Sequence, residues 1–181
     1  MDPDTLILTA ANWDSGAAAT VTAQDDDIID GPQSCDIVTA PAVSTDTNYG
    51  GEDPADIPVM VTDDDAAGFS LTPTSLTVDE PDGEDFFTIS LTSQPTAIVT
   101  IALSASNSEC SVAPARLELT PSNWQAGLFA TVTAIDDDIV DGPQGCTIVT
   151  APAVSTDTNY GGEDPADLPV TVNDDDAAGF T

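Results

Sequence analysis

Short runs of Val, Ile, Thr, Leu and Phe alternate with polar residues along most of the chain, and Pro, Gly, Asp and Ser interrupt them. Alternation with a period of two is typical of a β-strand with one buried face. No segment has helical periodicity, and many short strands in one stretch are typical of an antiparallel two-sheet sandwich. The pattern predicts strands at 69–79, 85–93, 96–105, 115–120, 128–135, 144–151 and 168–173.

A long internal repeat organises the sequence. Residues 37–56, IVTAPAVSTDTNYGGEDPAD, recur unchanged at 148–167, an offset of 148 − 37 = 111. A period of this length is that of a whole domain. We therefore expect the late part of a first repeat at 1–65, a complete second repeat at 66–176 and the start of another at 177–181. The first 65 residues are predicted to carry the last four strands of the same plan.

The two halves of the repeat are not equally represented. The late half occurs twice, at 1–65 and 114–176, whereas the early half occurs once, at 66–113. No pairing among identical chains completes every domain. Upstream sequence of a longer polypeptide is the simplest source of the missing early strands, and a fibre in which a neighbouring chain donates strands is the alternative.

Charge excludes several classes of partner. The chain has one Lys or Arg, 33 Asp and Glu, no His, and a formal net charge of −32. Nucleic acids and anionic membrane surfaces are held chiefly by Lys and Arg, so neither is expected as a direct partner. No run approaches the roughly 18 apolar residues of a membrane span, so no membrane insertion is expected. The N-terminal sequence MDPDTLILTA has neither the basic nor the apolar part of a secretion signal.

The three cysteines fit the repeat. Cys35 and Cys146 occupy one repeat position, and Cys110 occupies another. We predict a Cys110–Cys146 disulfide inside the complete repeat, which leaves Cys35 without its partner. Buried thiols without a bond are the alternative. A disulfide indicates an oxidising compartment, and we therefore expect a secreted or cell-surface protein.

Aspartate is concentrated in clusters. The clusters are Asp25, Asp26 and Asp27 with Asp30; Asp63, Asp64 and Asp65; Asp136, Asp137 and Asp138 with Asp141; and Asp174, Asp175 and Asp176. Adjacent carboxylates repel one another in a compact loop that has no counter-charge, and the chain contains no lysine to supply one.

A hard divalent cation can supply that counter-charge. Ca2+ accepts six to eight oxygen ligands from flexible loops. Zinc and copper are disfavoured because the chain has no histidine and widely spaced cysteines, and Mg2+ retains more water. Ca2+ is therefore the expected ion, and the alternative is a solvated acidic surface of a salt-adapted protein.

Four motifs carry a family resemblance, namely VTVNDDDAAGF at 170–180, VMVTDDDAAGF at 59–69, AIDDDIVDG at 134–142 and TVDEPDGEDFFTISL at 77–91. They resemble segments of the Calx-beta domain and its bacterial surface-protein relatives. The resemblance covers 66–176 and the matching late half at 1–65. It implies an all-β fold of tandem seven-stranded antiparallel immunoglobulin-like β-sandwiches that collect calcium at one end.

The resemblance also implies the calcium ligands. In the second repeat these are Glu80, Asp136, Asp137, Asp138, Asp141, Asp174, Asp175 and Asp176. By repeat symmetry the first copy has an equivalent set without a counterpart of Glu80, namely Asp25, Asp26, Asp27, Asp30, Asp63, Asp64 and Asp65. Gln144 stands where calcium-binding members often have another acid, and Glu109 stands in a loop that usually carries an aspartate.

Two further features have structural and functional interpretations. Trp13 and Trp124 precede a predicted strand and are expected to close one end of a sandwich. Tyr49 and Tyr160 lie in the repeated loop TNYGGEDPAD, which is either an ordinary solvated loop or a further site for an ion or a neighbouring domain.

The sequence lacks the usual elements of catalysis. It has no histidine base, no G-x-S-x-G motif, no P-loop and no lysine, so an enzyme is not expected. The leading hypothesis is a structural repeat of an extracellular fibre or adhesin stalk, made rigid by Ca2+ at aspartate clusters between domains, with neighbouring repeats and possible homopolymeric fibre contacts as partners. The alternative is a calcium-dependent module that binds carbohydrate or protein at the cell surface.

Overall fold

The computed structural model describes residues 1–179. Within this range the chain is all-β, with eleven strands and no helix. It forms two compact units. Unit 1 consists of residues 1–26 and 31–62, and unit 2 consists of residues 27–30 and the chain from Asp63 onward. Of the predicted start of another repeat at 177–181, residues 180–181 lie outside the described residues, and 177–179 form no strand.

Unit 2 is a two-sheet sandwich built from nine strands. One sheet has the order β4-β11-β10-β6-β8, and the other has the order β3-β5-β9-β7. The strands are β3 Phe69–Thr72, β4 Leu76–Asp79, β5 Glu84–Leu91, β6 Val99–Ala105, β7 Cys110–Ala113, β8 Arg116–Leu119, β9 Leu128–Ala134, β10 Gln144–Thr150 and β11 Leu168–Asn173.

The core lies between the two sheets, where alternate residues of each strand are buried. In β5 the side chains of Phe87, Ile89 and Leu91 point inward, and in β10 those of Cys146 and Ile148 do so. This is the period-two burial that the alternating sequence predicts. The sandwich architecture is of the immunoglobulin-like kind, with a disulfide that joins a strand of each sheet.

These strands differ from the prediction in three ways. The predicted strand 69–79 is two strands, β3 and β4, which belong to different sheets. Pro73 lies between them and has no N–H to donate to a ladder, so the chain leaves one sheet there and enters the other. The strand β7 was not predicted, because it is short and the Ser- and Asn-rich segment before it is typical of a loop. The sheets are also not wholly antiparallel, since β4 and β11 are parallel.

Unit 1 has two strands, β1 Gln33–Ile37 and β2 Ile57–Val61, which pair with each other. Four were predicted, and the counterparts of the predicted strands 115–120 and 128–135 are not formed; one isolated bridge joins Asp2 and Thr20. In unit 2 the equivalent strands β8 and β9 pair with β6, β5 and β7, all of which belong to the early half of the repeat. Unit 1 does not contain an early half, and this explains the difference.

The predicted disulfide is confirmed. Cys110 of β7 is bonded to Cys146 of β10, with a Cα–Cα distance of 6.1 Å and a sequence separation of 36 residues. Both half-cystines are buried. Cys35, as expected, is a free thiol, and it is exposed.

Candidate metal centre

The parallel pairing of β4 and β11 brings two acidic segments to one edge of the sheet. The two strands run in register, so that Asp79 lies opposite Asn173 at the point where both end. The Asn173 side-chain amide donates to the Asp79 carboxylate at 2.7 Å, and the Glu80 N–H donates to the Asn173 carbonyl at 3.0 Å. Glu80 and Asp174, the next residue along each strand, are therefore neighbours although they are far apart in sequence.

Asp174 connects the third acidic segment to this edge. Its Oδ2 accepts hydrogen bonds from the N–H groups of Asp141 at 3.0 Å and Gly142 at 2.7 Å, both in the loop after β9. Its Oδ1 accepts from the N–H of Asp176 at 2.7 Å. The N–H groups of Gly142, Asp176 and Asp141 hold the pKa of Asp174 below its usual value, against the opposing effect of burial. Asp174 is thus kept ionised by the backbone around it.

The three segments form two groups of carboxylates that share one residue. Glu80, Asp174 and Asp176 offer oxygens that all lie within 4.8 Å of one another, and so do Glu80, Asp136 and Asp175. Glu80 is the buried member of both groups. Each group consists only of hard oxygen donors, the type that Ca2+ prefers. The arrangement fits one cation, or two that share Glu80.

The carboxylates of these groups act on one another electrostatically. Burial raises the pKa of Glu80, and the charges of Asp137, Asp174 and Asp136 raise it further, while the N–H of Asp175 lowers it. Burial and the neighbouring carboxylates, Asp174 first, raise the pKa of Asp176. When the pKa of a carboxyl group is higher in the folded state than in the unfolded state, the folded state loses stability as the pH rises through that pKa. A bound cation removes this cost.

One carboxylate oxygen of the centre has no partner. The Oδ2 atom of Asp176 is buried and forms no hydrogen bond with any described residue. Native structures rarely leave a buried polar atom unsatisfied, and a bound ion is one way in which such an atom is satisfied. Asp176 is also a member of the group with Glu80 and Asp174.

The other predicted ligands of the second repeat belong to neither group. The Asp137 carboxylate accepts a hydrogen bond from the Ile139 N–H at 2.9 Å, and Asp138 has a left-handed backbone with φ of 58°. Asp141 contributes its N–H to Asp174 instead of a carboxylate to a group. These residues shape the loop after β9 and add negative charge beside the centre.

The first copy repeats the local bonding but does not gather the same groups. The Asp63 carboxylate accepts from the N–H groups of Asp30 and Asp65, both at 2.9 Å, as Asp174 does from Asp141 and Asp176. Within residues 1–179, both groups of three close carboxylates contain Glu80, and neither contains a residue of the first copy. The other predicted ligands of the first copy also belong to neither group; they are Asp25, Asp26, Asp27 and Asp64.

The repeated loop in unit 2 has a structural role. Asp157 is buried, and its carboxylate accepts from the N–H groups of Thr96 at 2.7 Å and Asn159 at 2.9 Å. The fully buried Tyr160 hydroxyl donates to the Ser93 carbonyl at 2.7 Å. These two side chains attach the loop to the β5–β6 connection, which gives the loop a structural role in unit 2.

The two tryptophans differ. Trp124 packs, half-buried, against the core of unit 2, and its carbonyl accepts from the Leu91 N–H at 3.0 Å. Trp13 is exposed. Trp124 therefore contributes to the core of unit 2, and its role in closing one end of the sandwich stays a prediction.

Sequence reasoning missed the residues that place Glu80. Asn173 joins the ends of β4 and β11, and Gly83 closes the turn that carries Glu80 by donating its N–H to the Asp79 carbonyl at 2.7 Å. A Cβ at Gly83 would lie 2.3 Å from that carbonyl oxygen, so only glycine fits this turn. The sequence EPDG at 80–83 is a turn signal that could have located it.

Comparison with known proteins gives only distant structural likenesses. No family model and no curated protein matches the chain. It is similar to WR4, a C. elegans MSP family member, with a TM-score of 0.41, 11% identity, and coverage of 58% of this chain and 95% of that one. It is also similar to the periplasmic chaperone SfaE, with a TM-score of 0.43, 10% identity, and coverage of 60% and 58%.

A third solved structure, the E. coli chaperone DraB, has a TM-score of 0.41 and 10% identity, with coverage of 63% of this chain and 58% of that one. The chain thus spans little more than half the length of the two chaperones. At these TM-scores the likenesses carry no conclusion about the function of this chain. Among the described residues, no helix has the length and apolar character needed to cross a bilayer.

Proposed function

We propose that this chain is a non-enzymatic structural repeat of an extracellular fibre or adhesin stalk, and that Ca2+ bound at the Glu80 centre of unit 2 makes it rigid. The observation that carries the proposal is the buried carboxylate of Glu80, which two groups of aspartates share. Burying a carboxylate among other carboxylates is unfavourable unless a cation compensates it.

Three features of the chain support the choice of Ca2+. The donors of the centre are all carboxylates, the chain has no histidine, and the Oδ2 atom of Asp176 is buried without a hydrogen-bond partner among the described residues. The formal charge of −32 also opposes compaction, and bound divalent cations reduce that self-repulsion. A stalk exposed to millimolar extracellular calcium would therefore be stabilised where it works.

The disulfide and the repeat support the extracellular placement and the stalk. A Cys110–Cys146 bond persists in an oxidising compartment. A domain-length repeat of 111 residues is typical of arrays that extend a protein away from a surface. In such an array a metal ion among loops that follow three strands limits the movement of the segments that continue into the next repeat.

The test is a calcium titration followed by the midpoint of thermal unfolding, Tm. For the unaltered chain, Tm rises with Ca2+ once its concentration exceeds the dissociation constant. Glu80→Gln removes the shared carboxylate from both groups, so we expect the affinity for Ca2+ to fall by about tenfold or more. In chelator the same variant has an equal or higher Tm, because it relieves the repulsion that raises the pKa of Glu80.

Glu163→Gln is the matched control. Glu163 is an exposed acid of the repeated loop, and the change removes the same charge without touching either carboxylate group. The control should keep the calcium response of the unaltered chain. Equal Tm values in calcium and chelator for the unaltered chain would refute a calcium centre.

Stiffening is tested separately by small-angle X-ray scattering. If calcium makes the chain rigid, the distribution of its end-to-end dimensions narrows when Ca2+ is added. In Glu80→Gln the same narrowing should require a higher Ca2+ concentration. A protein that binds Ca2+ with an unchanged scattering profile would keep the metal site and refute the stalk mechanism.

A further inference from the structure

Unit 1 keeps part of the local structure of a late half-repeat. Its strands β1 and β2 pair in the same register as β10 and β11 of unit 2, so that Cys35 lies opposite Val59 as Cys146 lies opposite Val170. The five paired positions of β1 and β2 each have their counterpart 111 residues later. The β1–β2 pair therefore has the strand register that β10 and β11 have in the complete sandwich.

The side chains that would form the core of unit 1 are nevertheless exposed. Ile57 is 56% exposed, whereas its counterpart Leu168 is fully buried, and Tyr49 is 65% exposed, whereas Tyr160 is fully buried. Leu6, Leu8 and Val21, whose counterparts are the buried Leu117, Leu119 and Val132, are exposed as well. We call the side chains of Leu6, Leu8, Val21, Tyr49 and Ile57 the open face of unit 1.

In unit 2 the early half, residues 66–113, covers the equivalent face. It does so with the apolar residues of β5 and β6 and with two polar attachments in the turn between these strands. The Ser93 N–H donates to the Tyr160 hydroxyl oxygen at 3.1 Å, and the Tyr160 hydroxyl donates to the Ser93 carbonyl at 2.7 Å. The Thr96 N–H donates to the Asp157 carboxylate at 2.7 Å.

A third attachment is covalent. Cys110, also in the early half, is bonded to Cys146. In unit 2 the late half contributes a tyrosine hydroxyl, an aspartate carboxylate and a cysteine to these three attachments. Unit 1 has the same three groups at the equivalent positions, namely the Tyr49 hydroxyl, the Asp46 Oδ2 atom and the Cys35 thiol. In the described part of the chain, none of these three atoms has a hydrogen-bond partner or a disulfide.

We propose that the open face of unit 1 binds an early half-repeat, a segment with the strand pattern of residues 66–113. That segment supplies a Ser-x-x-Thr turn to Tyr49 and Asp46 and a cysteine to Cys35. The internal repeat identifies this occupant, because the same late-half sequence in unit 2 is covered by such a segment in the same chain.

A second copy of this chain is the weaker occupant on stoichiometric grounds. The early half of the second copy already forms part of the core of its own unit 2. Donating it would uncover as much apolar surface there as it covers on unit 1, so exchange yields no net burial. A separate early half-repeat has no such cost.

The experiment uses the full chain and a peptide of residues 66–113 whose Cys110 carries 5-thio-2-nitrobenzoate as a mixed disulfide. The Cys35 thiolate attacks the cysteine sulfur of the peptide, the bond to the aromatic thiol breaks, and that thiol leaves as the coloured thiolate with the electron pair. The new disulfide joins Cys35 to the peptide, and no outside oxidant is needed. Release of the thiolate gives the rate, and mass spectrometry gives the site.

We expect the peptide to react about 100-fold faster than a scrambled peptide with the same activated cysteine. Docking raises the local concentration of the cysteine from about ten micromolar in solution to about the millimolar range. Equal rates for the two peptides would overturn the proposal, because they would show that Cys35 reacts only as an exposed thiol.

Two substitutions separate docking from accessibility. Ile57→Asp places a charge on the open face and should abolish the acceleration, whereas Val43→Asp should leave it unchanged, because Val43 and its counterpart Val154 are both exposed. Neither residue is buried in the chain alone, so neither substitution removes core packing. Retention of the acceleration in Ile57→Asp would overturn the proposal.

A second measurement removes the covalent step. Cys35→Ser and a peptide with serine at position 110 are mixed in a calorimeter, and burial of apolar surface gives binding with a negative heat-capacity change. No detectable heat at peptide concentrations up to about a millimolar would count against docking. If instead the chain alone dimerises in sedimentation and Ile57→Asp abolishes the dimer, the face belongs to a second copy and the proposal is wrong.

Discussion

Residues 37–56 and 148–167 have the same sequence in two different surroundings. Their internal hydrogen bonds agree almost atom for atom. The Thr39 N–H donates to the Asp56 carboxylate at 2.9 Å, and the Thr150 N–H donates to the Asp167 carboxylate at 2.9 Å. The conformation of this loop is therefore encoded within the segment itself, by Asx-type turns and the bonds of one threonine.

The two copies differ in the burial of their side chains, although the hydrogen bonds within each copy agree. Tyr49 and Asp46 are exposed, while Tyr160 and Asp157 are buried under residues of the early half. Identical local structure thus occurs with and without a hydrophobic core beneath it. The comparison separates what a segment contributes alone from what its tertiary partners contribute, and each substitution below is made at both copies for that reason.

The largest difference is expected at the cysteines. Replacing Cys110 and Cys146 by alanine removes a cross-link over 36 residues, and loop-closure entropy predicts a loss of about 3 to 4 kcal/mol in the free energy of unfolding of unit 2. Cys35→Ala removes an exposed thiol and should change it by less than about 0.5 kcal/mol. Urea unfolding followed by tryptophan fluorescence measures both, and equal effects would contradict the comparison.

A core position comes next. Leu168→Ala leaves a cavity in the sandwich, and such truncations cost about 2 to 5 kcal/mol. Ile57→Ala, at the equivalent position on β2, removes a side chain that is largely exposed and should cost well under about 1 kcal/mol. Calorimetric Tm values give the two effects. A large loss from Ile57→Ala would mean that unit 1 has a core of its own.

The buried tyrosine tests one hydrogen-bonded attachment. Tyr160→Phe removes the hydroxyl that bonds the Ser93 backbone in a fully buried position, so a loss of about 1 to 3 kcal/mol is expected from the unsatisfied groups. Tyr49→Phe, in the same sequence context, should be neutral. Hydrogen exchange of the Ser93 N–H provides a second readout, since it should lose protection in Tyr160→Phe alone.

Much of the fold could be predicted because one face of each long strand is buried. The alternation in FFTISL and LFATVTA marks β5 and β9 directly. The division of 69–79 into two strands was missed, although the alternation changes phase across Pro73: Phe69 and Leu71 face the core before it, and Leu76 and Val78 do so after it. Periodicity reports burial of a face and does not report which sheet a strand joins.

The candidate site was only partly predictable for a related reason. Repulsion within the triplets makes a cation site expected from sequence alone, but which oxygens meet depends on the parallel register of β4 and β11. That register places Glu80 beside Asp174 and Asp176, and it leaves Asp138 and Asp141 outside the two groups. Strand pairing between segments nearly a hundred residues apart is a tertiary property that charge patterns do not contain.

The smallest effect is a pH dependence at Asp157. Burial acts to raise the pKa of this carboxyl, but the N–H groups of Thr96 and Asn159 outweigh it and hold the pKa below 3.8. A carboxyl whose pKa is depressed in the folded state contributes stability above its unfolded pKa and loses it as the pH falls through the folded pKa. The Tm difference between the unaltered chain and Asp157→Asn should therefore be largest above pH 4 and shrink below it.

Asp46→Asn is the control for this pH dependence, because the Thr96 bond has no equivalent at Asp46 in the described residues. The control should leave the Tm of unit 2 unchanged at every pH. If the Tm difference for Asp157→Asn stayed constant from pH 7 to pH 2.5, the substitution would act through the different hydrogen-bonding geometry of the asparagine amide, which does not depend on pH. The charge of Asp157 would then play no part in holding the loop, and the two copies would differ at this position in packing alone.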